Sequence, residues 1–400
     1  METYWLEWAN LLLRWVHVIT AIAWIGSSFY FVFLDSNLIP PEDEALQAKG
    51  VGGEMWAVHG GGFYNPQKYL GQPGRIHGKL HWFYWESYST WLSGFALFCV
   101  LYLWNANTFL IDKTVLNWAP VSAGTTAVAL LAVFWLVYDL TCRWVGFRRN
   151  GEVWIGAVML LTLALACWGT NQLFAGRAAF LLVGAMMATA MSANVLVWII
   201  PGQRKVVAAM TSGQPVDAQA LAIHGQRGKQ RSVHNTYFTL PVVFAMLSNH
   251  YGFLTSHPKR WLLLLVLMVA GALIRQFFVQ RHAWHLQRAA NPWPFAAVGV
   301  VLIVGVVVAL QPVPVSSGSQ APVSFAQVQA IVEQRCVSCH GPQIQMKNLR
   351  LDSPEALRTH AQAVYQQVVV LQQMPMNNAT GITPQERQAL ARWFEAGAQP

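Results

Sequence analysis

The sequence is poor in charged residues. Asp, Glu, Lys and Arg make up 11% of its 400 residues, and 54% are hydrophobic, whereas a typical soluble chain is roughly 25% charged. This composition excludes an ordinary soluble class for most of the chain and predicts that it lies in a lipid bilayer. Acidic residues are scarcer than basic ones, 17 against 26. The basic surplus falls in residues 1–310, where it is expected to mark cytoplasmic loops, so no nucleic acid partner is predicted.

Cysteine is also scarce, with five residues in the chain, so a disulfide framework is not predicted. Two of them form one motif, Cys336-Val337-Ser338-Cys339-His340. A structural zinc site is disfavoured because it needs four ligands and the chain has no second cysteine pair. The C-x-x-C-H spacing is instead typical of haem c attachment, in which both thiols form thioethers and His340 becomes an axial ligand of the haem iron.

The second axial ligand of that iron is expected from a later loop. Met374, which precedes Pro375, is the preferred candidate because this polar loop is a poor place for core packing. Met376 and Met346 are alternatives, although Met346 is too close to His340 in sequence to reach the opposite haem face. Ligation by His and Met raises the haem potential, so the tail is predicted to accept electrons.

Long apolar stretches dominate the rest of the chain. A membrane helix needs about 20 mostly apolar residues. Lys and Arg are concentrated in the connections after the first, third, fifth and seventh stretches, which predicts that both termini face the periplasm of a bacterial inner membrane. Attachment of haem c on the periplasmic side agrees with this orientation. The eight predicted spans are 11–34, 84–104, 119–140, 153–170, 178–200, 237–254, 261–279 and 295–310.

The predicted fold is all-α and has three parts. Residues 1–310 form a polytopic membrane bundle of about eight spans, and residues 324–400 form a small soluble class I-like cytochrome c domain. Between them, residues 311–323 form a Pro/Ser/Gly-rich linker. Helices are predicted at Ser324–Arg335 and Pro384–Gly397 of the tail, the second with Thr383 as its N-cap. The first span lacks a basic n-region and is interpreted as a retained helix.

Ionisable residues in or beside the spans are functional candidates because their burial in lipid is costly. His17 and His250 lie at matched depth toward the outer side and are candidates to hold a b-type haem, with plain packing as the alternative for His17. Toward the cytoplasmic side, His81, Glu86 and His234 are candidates for a proton-handling group.

The loop after the first span is rich in glycine and aromatic residues. Consecutive glycines let a backbone approach a flat ligand closely, and neighbouring rings offer stacking faces. Arg75 in the same loop could attract an anion, although the positive-inside rule already accounts for it. A plain surface or re-entrant turn is the alternative. The candidate residues are His59, Gly60, Gly61, Gly62, Phe63 and Tyr64.

These motifs, in this order, resemble those of bacterial membrane-bound urate oxidases, also called urate hydroxylases, in which an eight-span domain is fused to a cytochrome c. The resemblance covers essentially the whole chain. It rests on Arg14–His17 with Trp24–Gly26, Trp56–Tyr64, His81–Glu86, Arg231–Tyr237 with Leu240-Pro241, Leu247–Tyr251, Cys336–His340 and Met374-Pro375.

The resemblance implies oxidation of urate to 5-hydroxyisourate, with electrons passing to a soluble cytochrome c or a terminal oxidase and without release of peroxide. On this hypothesis His81, Glu86 and His234 handle protons, and the His59–Tyr64 loop with Arg75 forms part of the purine pocket. Two other interpretations stay open. One is a quinol or other small-molecule dehydrogenase that feeds the same haem c, and the other is a non-enzymatic, membrane-anchored electron conduit.

Overall fold

The computed structural model describes residues 2–69, 71, 73–74, 76, 78–212, 218–311 and 323–399. This part of the chain is mostly helical, as predicted, and its helices form an N-terminal bundle and a C-terminal segment with separate hydrophobic cores. The helices of the bundle are α1 Glu2–Asn37, α2 Glu44–Ala48, α3 Trp85–Phe98, α4 Ala106–Phe109, α5 Pro120–Val145, α6 Gly151–Leu173, α7 Gly176–Ala193, α8 Ile200–Thr211, α9 Ala218–Leu247, α10 Gly252–Thr255, α11 Arg260–His285 and α12 Trp293–Ala309.

Within the described residues, five helical stretches are long and apolar enough to cross a membrane. They are Tyr4–Asn37 within α1, the helices α5, α6 and α11, and the stretch Gly176–Thr211, in which the π-helical turn Asn194–Ile199 joins α7 to α8. Other expected spans are shorter or more polar: α3 continues into a π-helical turn at Cys99–Leu103, and α12 has 17 residues. The lengths and compositions therefore fit a membrane protein, and the count of eight spans stays a prediction.

Five helices of the bundle close a ring. Helix α1 packs against α3, α3 against α7, α7 against α9, α9 against α11, and α11 against α1. The contact of α1 with α3 is close because Gly94 has no side chain, and a Cβ there would lie 2.7 Å from Cε1 of His17. Helix α9, which carries Arg231 and His234, therefore lies between α7 and α11.

The glycine-rich segment, predicted as a loop, contains four short strands that the sequence analysis did not predict. Strand β1 (Val51–Glu54) pairs antiparallel with β4 (Gln67–Tyr69), and β2 (Ala57–His59) pairs with β3 (Gly62–Tyr64). The turn between β2 and β3 is Gly60-Gly61, with φ of 58° and 79°. Two successive residues at positive φ form the tight turn that matches the twist of a hairpin, and glycine adopts it without steric cost.

The C-terminal segment packs around its own core, which includes Val328, Leu357 and Leu390. The two predicted helices are confirmed as α13 and α16. The N-cap is confirmed as well, because the Thr383 side chain accepts a hydrogen bond from the backbone N–H of Glu386 at 3.2 Å. Most of the predicted linker, residues 312–322, lies outside the described residues. The helices of this segment are α13 Phe325–Arg335, α14 Pro354–Thr359, α15 Ala361–Val364 and α16 Pro384–Glu395.

Candidate functional site

A buried chain of hydrogen bonds leads through His234 on α9. Nδ1 of His234 lies 2.9 Å from the Tyr138 hydroxyl oxygen on α5, and Nε2 lies 2.8 Å from Oε2 of Glu152 at the start of α6. Asn194, the first residue of the π-helical turn, donates to the Tyr138 oxygen at 3.0 Å and to Oδ1 of Asn235 at 2.8 Å. His234 is 8% exposed and Tyr138 is fully buried. A π-helical turn of this kind occurs frequently at functional sites.

The donors and acceptors of this chain follow from its chemistry. Arginine can only donate, so the Asn194 side-chain oxygen faces Nη1 of Arg231 at 3.4 Å and its amide nitrogen faces Tyr138. The Tyr138 oxygen accepts that hydrogen bond. In the arrangement in which the Tyr138 O–H donates to Nδ1 of His234, the Nε2–H donates to the Glu152 carboxylate. Tyr138, His234 and Glu152 then form a continuous path along which a proton can pass.

A buried ion pair supports the chain. Nη2 of Arg231 lies 2.9 Å from Oδ1 of Asp139, and both side chains are 3% exposed. The same carboxylate accepts a hydrogen bond from the Trp198 indole N–H at 2.7 Å and contacts Arg143 at 2.7 Å. A buried pair is stable when such additional hydrogen bonds satisfy its charges. The pair holds Arg231 against Asn194 and so fixes the orientation of the Asn194 amide.

The hydrogen-bond chain ends at Glu152, in an open cleft. The Glu152 side chain is 64% exposed, and it lines a cleft of about 360 Å³ together with His234, Phe147 and Lys229. Gln230 donates to the second carboxylate oxygen of Glu152 at 2.7 Å, which holds the carboxylate in place. A proton that reaches Glu152 can therefore exchange with the cleft.

One of the three predicted proton-handling residues, His234, lies in this chain. His81 is exposed, and its ring contacts Phe83 edge-on with centroids 4.5 Å apart. Glu86 is half-buried in the first turn of α3. In the described part of the chain, neither side chain forms a hydrogen bond or ion pair with His234. A shared role for the three residues stays a prediction.

The predicted purine-pocket residues lie on the β2–β3 hairpin, at the surface. His59 and Tyr64 are exposed, and Phe63 is 77% exposed. The rings are accessible for stacking but are not enclosed. Arg75 lies outside the described residues. The part of this hairpin in a purine pocket stays a prediction.

The C-x-x-C-H motif forms a turn after α13 in which Cys336 and Cys339 are free thiols. Burial, with a smaller effect of neighbouring Cys339, raises the pKa of the Cys336 thiol to about 11. The backbone N–H of His340 donates to the Cys336 carbonyl at 2.9 Å, and Nδ1 of His340 lies 3.3 Å from the Leu349 carbonyl. A carbonyl only accepts, so Nδ1 carries the hydrogen and Nε2 is left to bind iron. These donors fit a covalently attached haem. Among the described residues, no group of three His, Cys, Asp or Glu side chains is arranged to hold a metal ion directly.

The loop that carries Met374 lies against the bundle. Met374 is half-buried and packs against the C-terminal core, whereas the alternative ligand Met346 is 52% exposed. The side-chain amide of Gln373 donates to the His250 carbonyl at 3.0 Å. A Cβ on Gly252 would meet the backbone of this loop. Met374, the preferred candidate for the second axial ligand of the haem iron, therefore lies beside the turn at the end of α9.

The two predicted haem b ligands lie in different surroundings. Nδ1 of His17 lies 3.0 Å from the Thr90 carbonyl and 3.2 Å from Oγ of Ser93. The carbonyl can only accept, so Nδ1 is the donor and Nε2 is the nitrogen that would be available to a metal ion or a proton. His250 is exposed on a 3₁₀ turn after α9. A haem held by both residues stays a prediction.

Four residues of the hydrogen-bond chain and its ion pair were not predicted from the sequence. They are Tyr138, Asp139, Glu152 and Asn194. Asp139 could have been found, because it interrupts an apolar run of span 3 and an ionisable residue there is a functional candidate by default. Glu152, at the border of span 4, carries the same signal. Tyr138 and Asn194 carry no such signal, since neutral polar residues are common in apolar helices.

Comparison with known proteins identifies one family. Residues 3–311 match the family described as urate oxidase N-terminal, which covers the whole bundle and ends before the C-x-x-C-H motif. No curated protein and no solved structure matches the chain. The family match supports a urate-related, oxidoreductase function and covers most of the chain. The protein therefore belongs to the urate oxidase N-terminal family.

Proposed function

We propose that the protein is a membrane-bound urate oxidase that converts urate to 5-hydroxyisourate and passes the electrons through a haem c to a soluble cytochrome c or a terminal oxidase. Membership of the urate oxidase N-terminal family supports the substrate. The structural observation that carries the proposal is the ordered hydrogen-bond chain from Asn194 to Glu152. The reaction of the urate monoanion with water yields neutral 5-hydroxyisourate, one proton and two electrons, so the enzyme needs a route for each.

The proton route is proposed to run through His234. In one concerted transfer, the Tyr138 oxygen takes the proton released by the reaction as its own hydroxyl hydrogen passes to Nδ1 of His234 and the Nε2 hydrogen of His234 passes to Glu152. Glu152 then releases a proton to the cleft, and Tyr138 stays neutral. A histidine suits this step because its ordinary pKa lies near neutral pH. His81 and Glu86, at the start of α3, are proposed as candidates for the base that activates the attacking water.

The electron route is proposed to run through the C-terminal segment. Cys336 and Cys339 would form the thioethers to haem c, and His340 and Met374 would be the axial ligands of its iron. The haem, when bound, supplies a one-electron acceptor of raised potential. The contact of Gln373 with the His250 carbonyl supports transfer across this interface. His17 and His250 are the proposed ligands of a b-type haem in the bundle.

The proposed location is the bacterial inner membrane. Five long apolar helical stretches support membrane insertion. The uneven placement of Lys and Arg supports eight spans with both termini and the haem c domain in the periplasm.

Anaerobic turnover tests the proposal. Purified full-length protein is mixed with urate and oxidised soluble cytochrome c, and urate loss, 5-hydroxyisourate and reduced cytochrome c are followed by absorbance. The expected result is two molecules of cytochrome c reduced per urate consumed, and no peroxide when oxygen is admitted. Reduction by quinol and not by urate would favour the quinol dehydrogenase, and reduction by neither would favour the electron conduit.

A further inference from the structure

Arg275 on α11 is a buried cation with two unused hydrogen-bond donor groups. The residue is 5% exposed, and its Nε and Nη2 atoms are buried with no hydrogen-bond partner in the described part of the chain. Arg231, which is equally buried, is by contrast paired with Asp139. Burying a charge without a partner is costly, so the two free groups indicate a place for an anionic ligand.

The geometry of Arg275 limits how such a ligand can approach. Phe29 of α1 covers one face of the guanidinium, with the Arg275 Cζ 3.7 Å from the ring centroid. The free Nε and Nη2 atoms lie along one edge of the planar group. That edge presents two parallel N–H donors and pairs with two acceptor atoms of a planar anion. The site therefore favours a flat, delocalised anion over a simple point charge.

Arg275 lies on a helix that packs against the helix of the candidate proton route. Helix α11, which carries Arg275, packs against α9, which carries His234, and against α1. Because Arg275 contacts Phe29 of α1, an anion bound at Arg275 would lie where α11 meets α1. Atoms of Arg275 that are buried within the protein are also shielded from lipid headgroups.

We propose that Arg275 binds the urate monoanion through its Nε–Nη2 edge and is the anion-recognition residue of the substrate site. This inference rests on the proposed urate oxidase function. The negative charge of urate is shared between a ring nitrogen and an adjacent carbonyl oxygen, which offer the two in-plane acceptors that the edge requires. A neutral purine lacks this charge and leaves the buried guanidinium unpaired, so the site discriminates against it.

Urate binding to variants of the purified full-length protein tests the inference. Arg275→Gln is expected to raise the Kd for urate, measured by quenching of tryptophan fluorescence, by at least about tenfold. Arg275→Lys keeps the charge but loses the two-donor edge, and its Kd is expected to fall between those of the wild type and Arg275→Gln. Arg281→Gln, an exposed position on the same helix, is the matched control and is expected to bind like the wild type. Hypoxanthine, uncharged at neutral pH, is expected to bind all four proteins equally weakly.

Thermal unfolding separates binding from folding. Without urate, Arg275→Gln is expected to unfold at the same temperature as the wild type or higher, because it removes an unpaired buried charge. Urate is expected to raise the unfolding temperature of the wild type and not that of Arg275→Gln. A lower unfolding temperature for Arg275→Gln without urate, together with unchanged urate binding, would show a structural role and overturn the inference.

Two further outcomes separate this inference from the proposed function. If the wild type oxidises urate, Arg275→Gln binds it normally and Phe63→Ala weakens binding, the purine site lies at the hairpin and the Arg275 inference alone is wrong. If the wild type neither binds nor oxidises urate, the proposed function is wrong and the inference falls with it.

Discussion

At the scale of single residues, the Tyr138 hydroxyl joins the buried Asn194 amide to the His234 ring. Tyr138→Phe removes this link and keeps the ring that packs beside it. We expect kcat for urate to fall by about a hundredfold, the lower end of the contribution of about 10²–10⁴ in rate that proton transfer through a positioned group makes. KM is expected to change little. Steady-state kinetics in H₂O and D₂O measure both constants and the solvent isotope effect, which should increase in the variant.

Tyr102→Phe is the matched control for this variant. Tyr102 is also buried, at 7% exposure, and its hydroxyl lies 3.5 Å from Oδ1 of Asn249. Neither residue belongs to the hydrogen-bond chain through His234. Its kcat and isotope effect are expected to match those of the wild type. Equal losses in the two variants would mean that any buried hydroxyl matters equally, and the proton route through Tyr138 would be refuted.

The Asp139–Arg231 pair makes a separate prediction about stability. Asp139→Asn leaves Arg231 buried with an uncompensated charge, so the free energy of unfolding is expected to fall by about 3–5 kcal/mol. Asp35→Asn is the control, because the Asp35–Lys68 pair is about half exposed and such pairs contribute about 0–1 kcal/mol. Denaturant unfolding in detergent measures both, and similar values for the two variants would contradict a structural role for the buried pair.

Which residues could be predicted depended on their chemistry. Cys336, Cys339 and His340 were singled out because haem c attachment requires this fixed local spacing, and the haem itself stays a prediction. His234 could be found because an imidazole beside an apolar span is unusual. Arg275 in span 7 carries the same kind of signal. That Nε and Nη2 of Arg275 have no hydrogen-bond partner in the described part of the chain could not be predicted, because it depends on how α1 and α9 pack against α11.

At the scale of elements, the contact between α1 and α3 depends on Gly94. A side chain there would lie 2.7 Å from the His17 ring, so Gly94→Ala is expected to displace His17 or separate the helices and to lower the unfolding temperature. Gly26→Ala, on α1 with open space around its added Cβ, is expected to stabilise the protein by up to about 1 kcal/mol through helix propensity. Thermal unfolding of both variants measures the difference, and equal shifts would contradict the close packing at Gly94.

The elements could be predicted where the signal was local. Thr383 and Glu386 form a capping box, so the start of α16 could be predicted to the residue. Gly60-Gly61 between short alternating segments is also a signal for a β-hairpin. From the sequence, these glycines were interpreted only as residues that let the backbone approach a flat ligand closely. The π-helical turn at Asn194–Ile199 has no local signal, because it depends on the buried partners of Asn194.

At the scale of the whole molecule, the ring of five helices places the proposed exit for protons and the proposed exit for electrons in different parts of the bundle. Glu152 opens to a cleft near the turn between α5 and α6, whereas the Met374 loop lies against the turn at the other end of α9. Protons and electrons are therefore proposed to leave in opposite directions. This arrangement could be predicted only in part, since the placement of Lys and Arg predicts an orientation in the membrane but not which helices touch.

A redox difference spectrum of the purified full-length protein tests whether urate delivers electrons to haem c. Urate is added without oxygen, and the haem c α band is recorded against the oxidised protein. We expect urate alone to produce the reduced c-type band, and dithionite added afterwards to increase it little. A protein that is reduced by dithionite and unchanged by urate would show that urate is not the electron donor.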